Sequence, residues 1–171
     1  VFFYLYHRRH HNSDNQGRMT STGYFNPRKY NPSDKTEVIS VFRHNTPQYF
    51  APEEEKELIA YLDQFSQHYF ILEWEGKIIG CGGINLSEDL TTARISWDFI
   101  HPDHQAKGLG SALLQFRIEK IKEFKTMRTI TVRTSQMAYL FYEKAGFVLV
   151  ETIKDYWAPG FDLYRMEYTI S

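Results

Sequence analysis

A mixed α/β domain, an α+β mixed sheet in the order β-α-α-β-β-β-α-β-α-β-β, is predicted by three features of this 171-residue sequence. Apolar stretches of helical period alternate with runs rich in β-branched and aromatic residues. A glycine-containing loop, Gln105 to Ser111, lies past mid-chain between an apolar strand and an apolar helix. Two strand-like runs close the chain around the loop 154–160.

Taken in order, Tyr24 to Tyr30 reads as a first strand, which Pro27 demotes to a short or edge one. Asn31-Pro32-Ser33-Asp34 supplies a cap, a proline and an acid for a helix start, and Val38, Ile39 and Phe42 then share one face. Asn45-Thr46-Pro47 ends that helix. The second helix starts at Pro52, and its pattern buries Leu58, Ile59, Leu62 and Phe65. Glu53, Glu54 and Glu55 in its first turn read as dipole complements on a solvated face, with a metal or substrate patch as the alternative.

Tyr69 to Trp74 and Ile78 to Ile84, joined by Glu75-Gly76-Lys77, read as a hairpin. Gly80, Gly82 and Gly83 within it signal a bulge or a close backbone approach. Ala93 to Ile100 is the next strand. The helix 109–124 carries two apolar stripes and is expected to be largely buried. Arg128 to Arg133 reads as a strand, Gln136 to Ala145 as a helix ended by Gly146, and Phe147 to Ile153 with Phe161 to Thr169 as the closing pair.

Composition narrows the function. A net charge of −1 gives no field for nucleic acid or an anionic membrane. No apolar run reaches the roughly 18–20 residues that span a bilayer. The single cysteine, Cys81, is read as a core residue and fits a reducing, cytoplasmic compartment. Residues 1–18 read as an expression-derived or upstream-translated extension, with a single domain over 19–171. The histidines at its start lack metal-ligand spacing, and no metal is expected.

The loop 105–111 points to a phosphate ligand. A helix start offers backbone N–H groups without partners and the positive end of the dipole, and glycine lets a ligand approach the main chain. A dinucleotide fold would place G-x-G-x-x-G after its first strand, and a P-loop would add Lys-Ser/Thr after its glycines. Neither context is present, nor are the companion motifs of a kinase loop.

The run Phe99-Ile100-His101-Pro102-Asp103-His104-Gln105-Ala106-Lys107-Gly108-Leu109-Gly110-Ser111-Ala112-Leu113-Leu114 resembles the acyl-CoA-binding sequence of the GNAT superfamily of N-acetyltransferases, save that Ala106 stands where glycine is frequent. Ala138-Tyr139-Leu140-Phe141-Tyr142-Glu143-Lys144-Ala145-Gly146-Phe147 is similar to the A-x-x-F-Y-E-K-x-G-F element that follows it in the family. The resemblance spans about residues 24–169. It implies a sheet that splays between its fourth and fifth strands, and transfer of an acetyl group from acetyl-CoA to an amine acceptor. Pantetheine would bond to backbone near Phe99 and Ile100. The pyrophosphate would rest on Gln105, Ala106, Lys107, Gly108, Leu109, Gly110 and Ser111, with Ser135 at a position where a cofactor-contacting Asn is common.

Direct acyl transfer asks for a base at the amine and an acid near the sulfur. Tyr142 is the candidate acid by its family position, with an aromatic packing role as the alternative. A strand-four Glu is frequent near positions 94 or 96, but Arg94 and Ser96 stand there. Asp98 is the nearest carboxylate, and alternation puts it on the face of Ser96 unless a bulge intervenes. An ordinary strand acid and a water-mediated base remain as alternatives. Thr46 to Phe50, Tyr156 and Trp157, with Trp97 near, are expected to wall an acceptor site for a small amine or a peptide N-terminus. A homodimer stays open. A non-catalytic acyl-CoA-binding or sensing module is the second reading.

Overall fold

The structure, a computed structural model, describes residues 18–20, 23–25 and 27–171. The expectation for residues 1–18 therefore lies almost wholly outside the described residues. Two short strands, β1 (Arg18–Thr20) and β2 (Gly23–Phe25), pair with each other. The chain then enters the main sheet through β3 (Arg28–Lys29), which pairs with the edge of β4 (Tyr69–Trp74). The expected first strand 24–30 is thus two separate pieces on either side of Pro27, whose ring removes a ladder donor.

α1 (Lys35–His44) and α2 (Glu55–Gln64) follow, each entered through a single 3₁₀ turn that begins at a proline. Asn31 caps the first turn and Asp34 reciprocates, so the helix start legible in Asn31-Pro32-Ser33-Asp34 is present. β4 and β5 (Lys77–Leu86) form the expected hairpin. β6 (Thr92–Ile100), α3 (Leu109–Lys122), β7 (Thr129–Thr134), α4 (Tyr139–Lys144), β8 (Val148–Ala158) and β9 (Phe161–Thr169) complete the order. α4 is shorter than the predicted 136–145, and β8 runs through 154–158, where a loop was expected. Gly146 has φ +98°, the left-handed conformation that its place after the helix required.

The seven-stranded sheet runs β3-β4-β5-β6-β7-β9-β8, antiparallel except for the β6–β7 pair. Its two faces are covered separately. Val38, Phe42, Leu58 and Leu62 of α1 and α2 pack on Tyr69, Ile71, Cys81 and Phe99. Leu113, Leu114, Ile118 and Ile121 of α3 pack with Phe141 and Tyr142 of α4 on Phe70, Leu72, Ile95, Ile130 and Val132. Cys81 is fully buried, and burial pushes its thiol up to about 12, as a core residue requires.

Two features of this sheet shape the site. β6 and β7 pair only from Thr92–Thr129 to Ile95–Val132, while β6 continues to Ile100 and β7 to Thr134. The sheet therefore splays where the resemblance placed the splay. In addition, the β5–β6 register shifts between Cys81 and Gly83, and Trp97 opposite takes φ +48°. This bulge re-aims the residues beyond it.

The glycines of β5 are explained by the side chains that cross it. A Cβ on Gly82 would lie 2.7 Å from Arg117 Nη1, and one on Gly83 would lie 2.3 Å from Tyr61 Oη. Arg117 and Tyr61 therefore reach in from opposite faces of the sheet.

Candidate active site

The bulge separates residues that plain alternation would have put together. Ser96 faces Tyr61 of α2, whereas the Asp98 carboxylate meets Arg117 of α3. The expected shared face of Ser96 and Asp98 is thus corrected by the bulge at Trp97. Arg117 Nη2 donates to Asp98 Oδ2 at 2.8 Å, and the Tyr142 hydroxyl donates to the same oxygen at 2.6 Å. Arg117 also donates from Nε to Leu113 O and from Nη1 to Gly83 O, at 3.2 and 3.3 Å.

Arg117 is 0 % exposed and Asp98 7 %, so the ion pair lies in a low-dielectric interior. Burial alone would raise the Asp98 carboxyl. The Arg117 charge and the hydrogen bonds from Tyr142 and Arg117 outweigh burial and hold it well below the usual carboxylate range. Tyr142 moves the other way: burial first, then the adjacent Asp98 charge, push its phenol well above 10. At neutral pH this arrangement is an ionised acid, a protonated phenol and a guanidinium.

On the face of Ser96, α1 and α2 cover β6 at Trp97 and Phe99 but leave the rest of β6 and β7 open, and a cleft of about 750 Å³ lies there, with Asp98 and Tyr142 also among its lining residues. Arg94, Ser96, Thr131 and Arg133 form part of its floor; α2 and the β8–β9 hairpin form its walls. Tyr49, Phe50, Trp97 and Trp157 all line it, as expected of an aromatic-walled site. Tyr156 instead stacks edge-on against Trp157 and bonds Arg133. Phe65 was expected in the core, but it is 52 % exposed and lines the same cleft. It lies just past the end of α2, where the helical face no longer turns inward.

Glu54 departs from its expected place on a solvated face. It is 8 % exposed, lines the cleft, and its Oε2 accepts from Ala51 N at 2.7 Å. Burial pushes its carboxyl up to about 7, against the pull of the Ala51 hydrogen bond, and nearby Glu57 and Glu53 add to the rise. A carboxyl that titrates near neutrality inside a cleft is suited to take up a proton.

The loop after β6 is fixed at its start by Gln105, whose Nε2 donates to Ile100 O at 3.0 Å and Asn45 Oδ1 at 3.1 Å. Asn45, fully buried at the end of α1, itself donates to Ile100 O and Val41 O. Ala106 has φ +60° and Gly108 φ +76°, both left-handed. The conformation explains why glycine suits position 106; an alanine there carries a cost of about 1 kcal/mol. Gly108 is the N-cap of α3 and brings no capping side chain, so the first N–H groups of the helix remain without intrahelical acceptors. A Cβ on Gly110 would meet nothing nearer than the Phe141 ring at 3.7 Å.

Ser135 is buried beside the splay, and its Oγ accepts from Met137 N. Among the described residues, Thr134 Oγ1 is the buried side-chain oxygen with no hydrogen-bond partner, and it lines the cleft at the end of β7. An orphaned hydroxyl at a splayed strand end and, at the end of β6, a loop leading into an uncapped helix start together fit a ligand that carries amides and phosphates. Among the described residues there is no cluster of metal-ligating side chains, and no helix is long and apolar enough to cross a membrane.

Sequence reasoning missed Arg117 and Glu54. Arg117 lies between Leu113 and Ile121 on the buried stripe of α3, and a charge there signals a buried partner. For Glu54 no such signal exists, because three consecutive acids leave open which one turns inward.

Comparison with known proteins bears on this geometry. Residues 38–147, more than half of the chain, match the sequence model of the family described as Acetyltransferase (GNAT) family. A stretch of 79 residues is 34% identical to the UPF0157 protein YqkA of Bacillus subtilis, covering 46% of this chain. That match spans only 22% of the length of YqkA. The ribosomal-protein-S18-alanine N-acetyltransferase of Escherichia coli superposes with a TM-score of 0.72 at 21% identity, over 86% of this chain and 94% of that one. Ard1 of Thermoplasma volcanium gives 0.72 at 19% identity, over 86% and 98%. An aminoglycoside 6'-N-acetyltransferase complexed with coenzyme A gives 0.67 at 13%, over 85% and 97%. These structures share the fold. With the family match over residues 38–147, the splayed sheet and the left-handed loop ahead of α3, the chain belongs to the GNAT acetyltransferase family.

Proposed function

We propose that the protein transfers an acetyl group from acetyl-CoA to a primary amine by direct attack in a ternary complex. The observation that carries this reading is the parting of β6 and β7 beside the uncapped start of α3. The strand end at Phe99 and Ile100, the loop Gln105 to Ser111 and the Thr134–Ser135 corner would hold acyl-CoA, with the exposed Lys107 adding a point charge. When bound, acetyl-CoA supplies the activated acyl carbon. The amine reaches that carbon from the aromatic cleft on the far side of β6.

In the proposed reaction a C–N bond forms and the C–S bond breaks. Glu54 is the proposed base, taking the amine proton directly or through one water; its place in the cleft and its raised pKa support this role. Asp98 is the positioning residue: its carboxylate, held ionised by Arg117, orients the Tyr142 hydroxyl. Tyr142 is the proposed donor toward the leaving sulfur; its single O–H, which donates to Asp98 in the free protein, turns from that carboxylate to the sulfur as the thiolate forms. Its raised pKa favours a hydrogen bond to the thiolate over full proton transfer, and solvent completes the protonation. A cytoplasmic location accords with this use of acetyl-CoA.

Thiol release from acetyl-CoA, measured with and without amines, tests the proposal. Amine-stimulated release is expected, and Tyr142→Phe should lower kcat by about ten- to hundredfold, the worth of one hydrogen bond to a charged group. Binding of acetyl-CoA with no release in any amine would favour a non-catalytic acyl-CoA sensor.

A further inference from the structure

The cleft is electrically divided. On the α2 side it carries Glu54 and Glu57; on the floor it carries Arg94 of β6 and Arg133 of β7. Arg94 sits opposite Thr131 in the parallel β6–β7 ladder, and Arg133 is two residues further along the same face. Arg94 and Arg133 are therefore diagonal neighbours on one face of the sheet.

Among the described residues, no carboxylate lies within ion-pair distance of either, although Arg28, Arg43, Arg117 and Arg165 all have acidic partners. Arg133 is instead held over the rings of Tyr156 and Trp157, 4.9 and 5.2 Å from their centroids, and donates to Tyr156 Oη. Stacking fixes the plane of a guanidinium while leaving N–H groups for a second acceptor. Trp157 is in turn tied to Thr134 O by its Nε1 at 3.2 Å, so Arg133 rests on an anchored platform.

Resting on the acetyl-transfer reading above, we propose that the acceptor is a small amine that also bears a carboxylate, an amino acid with an apolar or aromatic side chain. The amine faces the acidic wall, the carboxylate is taken by Arg94 and Arg133, and the apolar part lies against Phe65, Trp97 and Trp157. Arg94, at the position where many relatives were expected to carry a Glu, becomes a specificity residue in this account.

The test uses paired probes that differ only in the carboxylate: phenylalanine against phenethylamine, and 6-aminohexanoate against hexylamine. Binding to the CoA-loaded protein is measured by calorimetry, and acetyl transfer in parallel. The carboxylated member of at least one pair should bind about tenfold tighter or better, and Arg94→Gln or Arg133→Gln should bring that ratio toward one. The first pair responds if amine and carboxylate share one carbon, the second if they are far apart. Equal binding within both pairs overturns the proposal, as does a preference that survives both substitutions. Selective, arginine-dependent binding without transfer would instead count against the acetyltransferase reading while leaving Arg94 and Arg133 as a carboxylate-binding site.

Discussion

Replacing Arg117 with Met keeps most of the side chain's length and apolar stem but removes its charge and all three of its donors. The Asp98 carboxylate would then remain buried, still accepting from the Tyr142 hydroxyl but stripped of the guanidinium that balances its charge. Breaking a buried pair from one side costs about 3–5 kcal/mol, a large part of the roughly 5–15 kcal/mol that holds a domain of this size together. The loss depends on pH in a direction that the structure fixes. In the wild type the depressed Asp98 pKa means that its pairing adds stability above about pH 4 and that this contribution fades as pH falls. In Arg117→Met the same carboxyl is pushed upward by burial, so acid relieves the variant by protonating it. Urea unfolding at about pH 7.5 and about pH 5 should therefore show a larger deficit at the higher pH. Asp98→Asn added to Arg117→Met should recover at least about 1 kcal/mol at pH 7.5, since it removes the uncompensated charge. A deficit below about 1 kcal/mol, or one equal at the two pH values, would refute the buried-pair reasoning.

Two further substitutions separate chemistry from scaffold. Glu54→Gln should lower kcat/KM by about 10²-fold at pH 8 and abolish the rise in rate that the wild type shows as pH increases through about 7, since the base must be ionised. A wild-type profile flat from pH 6 to 8 would remove Glu54 as the base. Gly110→Ala should leave the melting temperature nearly unchanged, because its Cβ has ordinary room at 3.7 Å, yet weaken acetyl-CoA binding measured by calorimetry. Gly108→Ala, by contrast, should lower stability by about 1 kcal/mol at its left-handed φ, which denaturant unfolding reads.

Much of this architecture is legible in the sequence because local chemistry and tertiary packing agree. Asn31-Pro32-Ser33-Asp34 is a helix start by composition and becomes one in the fold. The loop 105–111 is read as an anion site from glycines that open a helix, and the left-handed φ of Gly108 with the uncapped start of α3 has the backbone geometry which that reading needs. The failures share a different cause: they depend on where distant elements cross. One bulged residue, Trp97, decides that Asp98 meets α3 while Ser96 faces α2, and no period in the sequence marks it. Glu54 is buried only because its turn packs at the cleft's edge, which its acidic neighbours conceal. β8 runs through 154–158, yet its ladder with β9 breaks there: the register jumps from Ile153–Leu163 to Ala158–Phe161 and Asp155 takes φ +52°, so the loop chemistry of Lys154 and Asp155 survives as a bulge within the strand.

The most direct test of the central claim is to incubate the purified protein with acetyl-CoA carrying a ¹³C-labelled acetyl group and a panel of amines, and to follow the label by mass spectrometry. The account predicts that the label appears on the nitrogen of at least one amine while the protein itself stays unlabelled. Labelled acetyl-CoA recovered intact with every amine, from a protein that demonstrably binds it, would contradict the account.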